Sequence, residues 1–143
     1  VIWRRLKIRR KEGKKERSMT EVSAAIIEKD GRFLICRRGG GGSCAHQWEF
    51  PGGKREAHES AETCAMRECR EELGIEINVY ILYDEFEWEY PERKIRFHFF
   101  TADIAKGAPK ATEHEEIRWV TAAELAEIPM CPADERVKAR LIK

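Results

Sequence analysis

The sequence has no apolar run that approaches the roughly 18 residues of a membrane-spanning helix, and no signal-peptide pattern opens it. It has no C-x-x-C pair, and its five cysteines are an odd number, which argues against a disulfide framework and against a structural zinc site. These absences predict a soluble, cytoplasmic protein with no membrane partner. The histidines are scattered, and we expect them on the surface or in loops rather than as ligands: His46, His58, His98 and His114.

Charge is unevenly distributed along the 143 residues. Residues 1–18 hold nine Lys/Arg and two Glu, whereas the remainder holds 18 basic and 24 acidic residues. We interpret this basic leader as a disordered or non-native extension, with Met19 as a candidate for the true start; a nucleic-acid or membrane-surface arm is the alternative. Residues 19–143 are long enough for a single domain with its own core. Because this part is mildly acidic, nucleic acid is not an expected partner.

Strand and helix patterns follow one another without an internal repeat, which predicts an α/β sheet flanked by helices. Two strands flank a hairpin turn at residues 30–31, and two longer strands flank a turn at residues 91–93. A helix is predicted from the Ser60 cap to about Leu73, with Gly74 in the left-handed position after it. The other predicted elements are a loop over residues 39–42, a tight turn at Pro51-Gly52-Gly53, a strand over residues 115–120, a helix capped by Thr121 and a final helix with Pro132 near its first turn.

Three glutamates crowd the stretch RECREELG, residues 67–74, on the predicted helix. Glu68 shares a helical face with Glu71 and with Glu72, and like charges at this spacing cost a few tenths of a kcal/mol per pair. Hydration of an exposed face or a divalent cation between the carboxylates would offset this repulsion. We expect the glutamates to lie mainly on another face from the residues that recur about every fourth position and would face the core: Ala61, Ala65, Cys69 and Leu73.

A longer motif surrounds these glutamates. Its spacing is G-x5-E-x7-R-E-U-x-E-E-x-G-U, where U is aliphatic, and it runs from Gly53 to Ile75. All the specified polar and glycine positions are present, and Cys69 at the first aliphatic position is the one departure. The motif resembles the Nudix hydrolase box. This resemblance implies the Nudix fold, a mixed β-sheet sandwiched between α-helices, and hydrolysis of a nucleoside diphosphate linked to another moiety.

The resemblance also implies a role for each residue of the box. Either Glu68 or Glu113, which follows in a later loop, would be the general base. Arg67 would orient a catalytic carboxylate through a hydrogen-bonded ion pair, and Glu59 would support the site. Oxygen ligands suit a hard cation such as Mg²⁺, or Mn²⁺ in its place. The residues that would hold this cation are Glu68, Glu71, Glu72, Glu113 and, through its carbonyl, Gly52.

Residues 48–54, WEFPGGK, resemble the MutT-like branch of the family, which sanitises or hydrolyses nucleoside triphosphates. Arg38 lies eleven residues before Glu49, a spacing that this branch shares. Arg38 would contact phosphate, although a solvated strand end is the alternative. The other expected substrate-binding residues are Glu49, Gly53 and, against the base, Phe50 or Trp48.

The stretch PAD at residues 132–134 resembles the bacterial CTP and 5-methyl-dCTP pyrophosphohydrolases of this branch. Branch members that prefer oxidised guanine carry an asparagine where this chain has Asp134. An ionised carboxylate only accepts hydrogen bonds, so it would be repelled by guanine O6 and would accept from the amine of cytosine or adenine. A favourable charge at a helix N-terminus is the plainer explanation of Asp134, and the two roles are compatible.

These features together predict Mg²⁺-dependent hydrolysis of a nucleoside triphosphate to the monophosphate and pyrophosphate, as in nucleotide-pool sanitation and DNA repair. The expected substrates are CTP, 5-methyl-dCTP or an oxidised dNTP. ADP-ribose and dinucleoside polyphosphates are alternatives, with Pro91 and Tyr90 as loose matches to those branches. A non-catalytic nucleotide-binding regulator is an alternative of another class. Monomer and homodimer are both left open.

Overall fold

The computed structural model describes residues 19–42 and 44–143. The leader predicted over residues 1–18 lies outside the described residues, so its interpretation stays a prediction. The described part contains seven strands and three helices. None of these helices is long and apolar enough to cross a membrane.

An antiparallel hairpin begins the described chain, with β1 at Thr20–Lys29 and β2 at Arg32–Arg37. Between the strands, Asp30 and Gly31 have φ angles of 50° and 77°. This left-handed conformation is what a two-residue hairpin turn requires, and Asp-Gly is among the sequences that adopt it most readily. The predicted hairpin is therefore confirmed.

The remaining strands complete a single mixed sheet. They are β3 at Trp48–Glu49, β4 at Gly52–Lys54, β5 at Glu76–Glu89, β6 at Lys94–Lys106 and β7 at Glu116–Val120. The strand order is β3-β2-β1-β6-β5, with β4 paired to β1 and β7 paired to β2. β1 runs parallel to β6 and antiparallel to β2 and β4. This combination confirms the predicted mixed sheet.

The three predicted helices are present, and the first two begin at the predicted caps, Ser60 and Thr121. They are α1 at Ala61–Leu73, α2 at Ala122–Ala126 and α3 at Pro132–Leu141. The Ser60 hydroxyl accepts the Thr63 N–H at 3.0 Å, and Gly74 has a φ of 71° at the other end of α1. Thr121 and Glu124 form a reciprocal capping box on α2. Local side-chain chemistry thus accounts for where α1 and α2 start.

Alternating residues of β1 place apolar side chains on both faces of the sheet. Val22, Ala24 and Ile26 belong to a core cluster that includes residues of α2 and α3, whereas Ala25 and Ile27 belong to a second cluster with residues of α1. The helical members of these clusters include Leu125 and Val137 on the first side, and Cys69 and Leu73 on the second. The sheet is therefore sandwiched between helices, as predicted.

Gly52 and Gly53 do not form the predicted tight turn. They lie in β4, opposite Ala24 and Ser23 of β1, and neither has a positive φ. A Cβ built on Gly52 would lie 2.6 Å from the Ala24 Cα, so the glycine is needed for the close approach of two strands. The prediction was wrong because glycine pairs signal turns and close backbone contacts equally well.

Candidate active site

The buried face of α1 includes two of the three crowded glutamates. Glu68 and Glu72 are both 0% exposed, whereas Glu71 is exposed. The expectation that the glutamates lie mainly on another face is therefore wrong for Glu68 and Glu72. They are one helical turn apart, and each stands next to a core residue in the sequence. The predicted core residues on this face that are indeed buried are Ala65, Cys69 and Leu73.

Strand β4 packs directly against α1 at Gly53. The carboxylate of Glu68 fills the space beside this glycine, where a Cβ would clash with it. The Gly53 carbonyl accepts a hydrogen bond from the Cys64 thiol at 3.4 Å. Glu68 is therefore held in a fixed position between a strand and its own helix.

Arg67 connects the carboxylates of the site. Its Nε and Nη2 donate to the two carboxylate oxygens of Glu59 at 2.9 and 2.7 Å. Its Nη1 donates to Glu68 at 3.0 Å and to Glu71 at 3.2 Å. Nη2 also donates to the Lys54 carbonyl at 3.0 Å. The two-pronged bond to Glu59 fixes the guanidinium plane, and the fixed guanidinium then orients Glu68.

The ion pair between Arg67 and Glu59 shifts the pKa of each group in the direction that favours its charged form. Hydrogen bonds from Arg67 lower the pKa of Glu59 to about 2, and the Glu56 N–H contributes a further bond at 2.9 Å. The bond to Glu59 raises the pKa of Arg67 in turn. Glu59 is thus a permanently ionised support for Arg67, which fits its predicted supporting role.

Glu72 is a buried carboxylate whose charge is poorly compensated by its surroundings. Both of its carboxylate oxygens are buried, and no hydrogen-bond donor among the described residues pairs with them. Burial raises the pKa of Glu72 well above its ordinary value, and the neighbouring carboxylates of Glu68 and Glu49 raise it further. A buried carboxylate in this position requires either a proton or a cation.

A buried histidine pairs with Glu49 on the neighbouring strand β3. His114 Nε2 lies 3.1 Å from a Glu49 carboxylate oxygen, and both side chains are 0% exposed. His114 lies in a loop, which is one of the two expected locations, but its side chain is buried and not at the surface. No signal near His114 in the sequence indicates this contact, because Glu49 is 65 positions away.

In the loop that carries Glu113, the residues on both sides of Glu113 form hydrogen bonds to other parts of the structure. The Thr112 hydroxyl donates to the Glu72 carbonyl at 2.7 Å, and His114 pairs with Glu49. The Lys110 N–H also donates to a carbonyl at the end of α1, at 3.0 Å. Glu113 itself is exposed. The structure thus brings the backbone of Glu113 to the end of the glutamate-rich helix.

Asp134 is buried in the first turn of α3. One carboxylate oxygen accepts the Phe50 N–H at 2.9 Å. Burial raises the pKa of Asp134 well above its ordinary value, and the Glu49 carboxylate adds to this effect. Asp134 in turn is one of the charges that raise the pKa of Tyr90, after burial. The Phe50 ring is fully buried and packs edge-on against Phe99, so its backbone rather than its ring contacts Asp134.

Arg38 is buried rather than solvated at the end of β2. Arg38 is 3% exposed, and its backbone N–H donates to the Gln47 carbonyl at 2.9 Å. Its guanidinium is next to the glycine loop, with Nη2 3.9 Å from the place where a Cβ on Gly42 would be. The alternative of a solvated strand end is therefore wrong for Arg38. Its contact with phosphate stays a prediction.

The donor set around α1 fits a hard divalent cation in charge and in chemistry. Buried carboxylates without sufficient counter-charge, above all Glu72, are the ligands that such ions prefer. In residues 19–42 and 44–143, however, no three His, Cys, Asp or Glu side chains are grouped closely enough to hold an ion. Glu71 bonds to Arg67 instead. The full ligand set, including the Gly52 carbonyl and Glu113, therefore stays a prediction.

This chain, with its motif of carboxylates on a helix packed against a mixed sheet, is similar in sequence and in structure to known proteins. The chain matches the model of the NUDIX domain over residues 17–141. It belongs to the Nudix family. Its relatives include a CTP pyrophosphohydrolase and an 8-oxo-dGTP diphosphatase, so this chain is a Nudix hydrolase.

Two relatives from Escherichia coli cover most of this Nudix chain. A CTP pyrophosphohydrolase is 40% identical over 116 residues, which is 81% of this chain and 86% of the relative. An 8-oxo-dGTP diphosphatase is 32% identical over 122 residues, 85% of this chain and 95% of the relative. Enzymes named for CTP and for an oxidised dNTP, two of the predicted substrate types, thus occur among proteins of similar sequence.

Two solved structures share the fold. The solution structure of the E. coli ORF135 protein has a TM-score of 0.76 and 36% identity, and covers 87% of this Nudix chain and 89% of its own. The MutT NUDIX hydrolase from Burkholderia pseudomallei has a TM-score of 0.79 and 26% identity, and covers 89% and 100% respectively. The predicted Nudix fold is confirmed.

Proposed function

We propose that this Nudix hydrolase cleaves a cytidine-type nucleoside triphosphate to the monophosphate and pyrophosphate, with oxidised purine triphosphates as secondary substrates. One observation carries the proposal. Hydrogen bonds connect Asp134 to the glutamate box by way of residues 49–50: the Phe50 N–H donates to Asp134, and the adjacent Glu49 pairs with His114, in the loop whose Thr112 hydroxyl donates to the Glu72 carbonyl. The glutamate box and the candidate base-reading residue therefore border one site, as a substrate with a polyphosphate at one end and a base at the other requires.

Glu68 and Glu72 would hold the divalent cation, and Glu71 would join them from the rim of the site. When bound, Mg²⁺ would neutralise the buried carboxylates, polarise the phosphate oxygens and make water more acidic. Arg67 holds Glu68 in place through its bond to Glu68 at 3.0 Å. The buried guanidinium of Arg38 would supply positive charge for the phosphates.

Glu113 and Glu68 remain the two candidates for the general base. Glu113 is exposed on a loop tied to the Glu72 carbonyl, so it can accept a proton from water beside the box and release it to solvent. Glu68 is fully buried and bonded to Arg67, which favours a role as a ligand over a role in proton transfer. We therefore favour Glu113 as the base.

Asp134 would read the base. Its bond from the Phe50 N–H fixes one oxygen, and the other remains for the substrate. Burial disfavours the ionised form of Asp134, but the exocyclic amine of cytosine would stabilise that form by donating a hydrogen bond to this oxygen, whereas guanine O6 would repel it. The 40% identity to a CTP pyrophosphohydrolase supports this choice over the 8-oxo-dGTP diphosphatase, which is 32% identical.

A nucleotide panel with pyrophosphate detection tests the proposal. CTP, dCTP, 5-methyl-dCTP and 8-oxo-dGTP are compared with ADP-ribose and a dinucleoside polyphosphate, each with Mg²⁺ and with a chelator. We expect pyrophosphate from the cytidine triphosphates with Mg²⁺ and a strong loss with the chelator. Preferred cleavage of ADP-ribose or of the dinucleotide, or turnover that persists in the chelator, would contradict the proposal.

A further inference from the structure

A buried carboxylate on β5 binds two arginines of α3. Asp84 is 9% exposed, and its two oxygens accept hydrogen bonds from Arg136 Nε at 3.1 Å and from Arg136 Nη2 at 3.3 Å. Arg140, one helical turn later, lies 3.5 Å from Asp84 and donates to the Tyr83 carbonyl at 2.9 Å. The Glu85 N–H donates to Asp84 at 3.0 Å. The charge of Asp84 and both of its oxygens are therefore compensated.

Asp84 lies at a β-bulge in β5. On β5 the pairing register advances from Leu82 to Asp84, whereas on β6 it advances only from Phe100 to Phe99. Tyr83 is therefore the extra residue of the bulge. Because bulges change the direction in which nearby side chains point, the contact between Asp84 and α3 depends on the backbone of the strand as well as on side-chain rotamers.

Both arginines also lie over aromatic rings of β5. The guanidinium carbon of Arg136 is 4.1 Å from the centre of the Phe86 ring, and that of Arg140 is 4.4 Å from the centre of the Tyr83 ring. A planar guanidinium that is held by hydrogen bonds and stacked on a ring has little freedom to rotate. The two arginines therefore fix α3 to β5, although each is about half exposed.

Another side of the same helix carries Asp134, the residue proposed to read the base. Asp134 is buried and accepts the Phe50 N–H at 2.9 Å. Side chains two residues apart in an α-helix point about 200° apart, so Asp134 and Arg136 lie on nearly opposite sides of α3. Contacts on two sides of a helix fix its rotation about its own axis. The pair of Asp84 and Arg136 is therefore placed to determine where the Asp134 carboxylate points.

We propose that Asp84 is a positioning residue for base selection, which acts through Arg136 and α3 without touching the nucleotide. This inference rests on the proposed role of Asp134. A side chain that reads a base must be held within about 0.5 Å of its productive position, so a small rotation of α3 weakens its hydrogen bond to cytosine. The glutamate box lies on α1, which packs on the other face of the sheet. Loss of the pair should therefore affect nucleotide binding and selectivity more than the chemical step.

Steady-state kinetics of the full chain test the proposal. Asp84→Asn keeps the shape of the side chain but places an N–H₂ group against a guanidinium that can only donate. We expect KM for CTP to rise about tenfold, kcat to change by less than about twofold, and the ratio of kcat/KM for CTP to that for 8-oxo-dGTP to fall about threefold or more. Arg136→Met, at a half-exposed position, keeps the apolar stem over Phe86 and should give the same result. Because the two residues act as one pair, the double variant should be no worse than either single variant.

Glu85→Gln is the matched control. Glu85 is next to Asp84 on β5, but its ion pairs are with Arg96 at 3.0 Å and His98 at 3.3 Å, on β6 and not on α3. Its KM and its substrate ratio should match the wild type, even if its unfolding midpoint in urea falls. A lower midpoint in Asp84→Asn without a change in KM and ratio, a fall in kcat as large as the rise in KM, or an equal rise in KM in Glu85→Gln would each overturn the proposal.

Amide hydrogen exchange of the nucleotide-free protein separates this proposal from the proposed function. Residues 132–141 should exchange about tenfold faster in Asp84→Asn and in Arg136→Met than in the wild type, while residues 61–73 of α1 keep their rates. Unchanged exchange in α3 would overturn the proposal whichever nucleotide is the substrate. If the wild type prefers another nucleotide of the panel, the proposed function fails. The rise in KM for that nucleotide, together with the exchange of α3, then still decides the positioning role of Asp84.

Discussion

The carboxylate of Glu68 occupies the space that any side chain at Gly53 would need. A Cβ built on Gly53 would lie 2.5 Å from each carboxylate oxygen of Glu68, closer than real Cβ atoms approach their neighbours. Glu68 is 0% exposed and bonded to Arg67, so it has no free volume into which to move. Gly53, the first residue of the motif, is therefore needed because it leaves room for the carboxylate of Glu68, fifteen residues later. It is not needed for an unusual backbone conformation.

Gly53→Ala should therefore damage the site and the fold together. The added methyl group must displace the Glu68 carboxylate, so we expect turnover to fall about 100-fold and stability to fall by about 2 kcal/mol. Steady-state kinetics and urea unfolding measure the two effects. Gly41→Ala is the matched control, because no atom lies within 4 Å of the place where its Cβ would be. Equal effects of the two substitutions would refute the spatial role.

Glu71→Gln should lower turnover without harming the fold. An amide is a poorer ligand than a carboxylate for a hard cation, so we expect a loss of about 100-fold or more with Mg²⁺. Glu71 is exposed, so the unfolding midpoint should change little. Glu62→Gln, an exposed position of the same helix, serves as the control and should retain full turnover. Wild-type turnover in Glu71→Gln would remove this residue from the ligand set.

Local chemistry made the elements of this fold predictable. The Asp30-Gly31 turn, the Ser60 cap and the Thr121 cap each act within a few residues, so the sequence contains all that decides them. The spacing from Gly53 to Ile75 likewise identifies the box, because its members lie on one strand, one helix and the short segments next to that helix. These predictions needed no knowledge of how distant segments pack.

The contacts that shape the site could not be predicted in the same way. His114 meets Glu49 across 65 positions and Asp134 meets the Phe50 backbone across 84, and both contacts arise only when loops and helices pack on the sheet. The burial of Glu72 runs against the general tendency of glutamate to remain exposed. Buried polar groups of this kind violate local rules, and functional sites are where such violations concentrate.

Asp134→Asn should change which base is preferred. The amide oxygen can still accept the Phe50 N–H, so the fold should be retained, while the amide N–H₂ can now donate to guanine O6. We expect the ratio of kcat/KM for CTP to that for 8-oxo-dGTP to fall about tenfold or more. The same ratio in Asp103→Asn, a substitution on the β5–β6 pair far along the sheet, should match the wild type. An unaltered ratio in Asp134→Asn would exclude Asp134 from base recognition.

Glu59 should make stability depend on pH in the acid range. Arg67 lowers the pKa of folded Glu59 to about 2 from an ordinary 4.5, so the native state binds fewer protons than the unfolded state between these values. Stability from this pair is fully present above pH 4.5 and is lost as the pH falls towards 2. Glu59→Gln should be less stable by about 2 kcal/mol at pH 7, and the difference should shrink on acidification. Urea unfolding at several pH values measures it, and a difference that does not vary with pH would contradict the assigned pair.

His114 should position Glu49 rather than react. His114→Ala leaves a fully buried carboxylate without its partner, which should cost about 1–3 kcal/mol of stability and lower kcat/KM. His114→Gln keeps an N–H donor and should restore most of both, whereas a group that transfers protons would not be replaced by an amide. His58→Asn, at an exposed histidine with a φ of 72°, is the control and should behave as the wild type. If Gln is as damaging as Ala in kcat while stability recovers, His114 takes part in the chemistry itself.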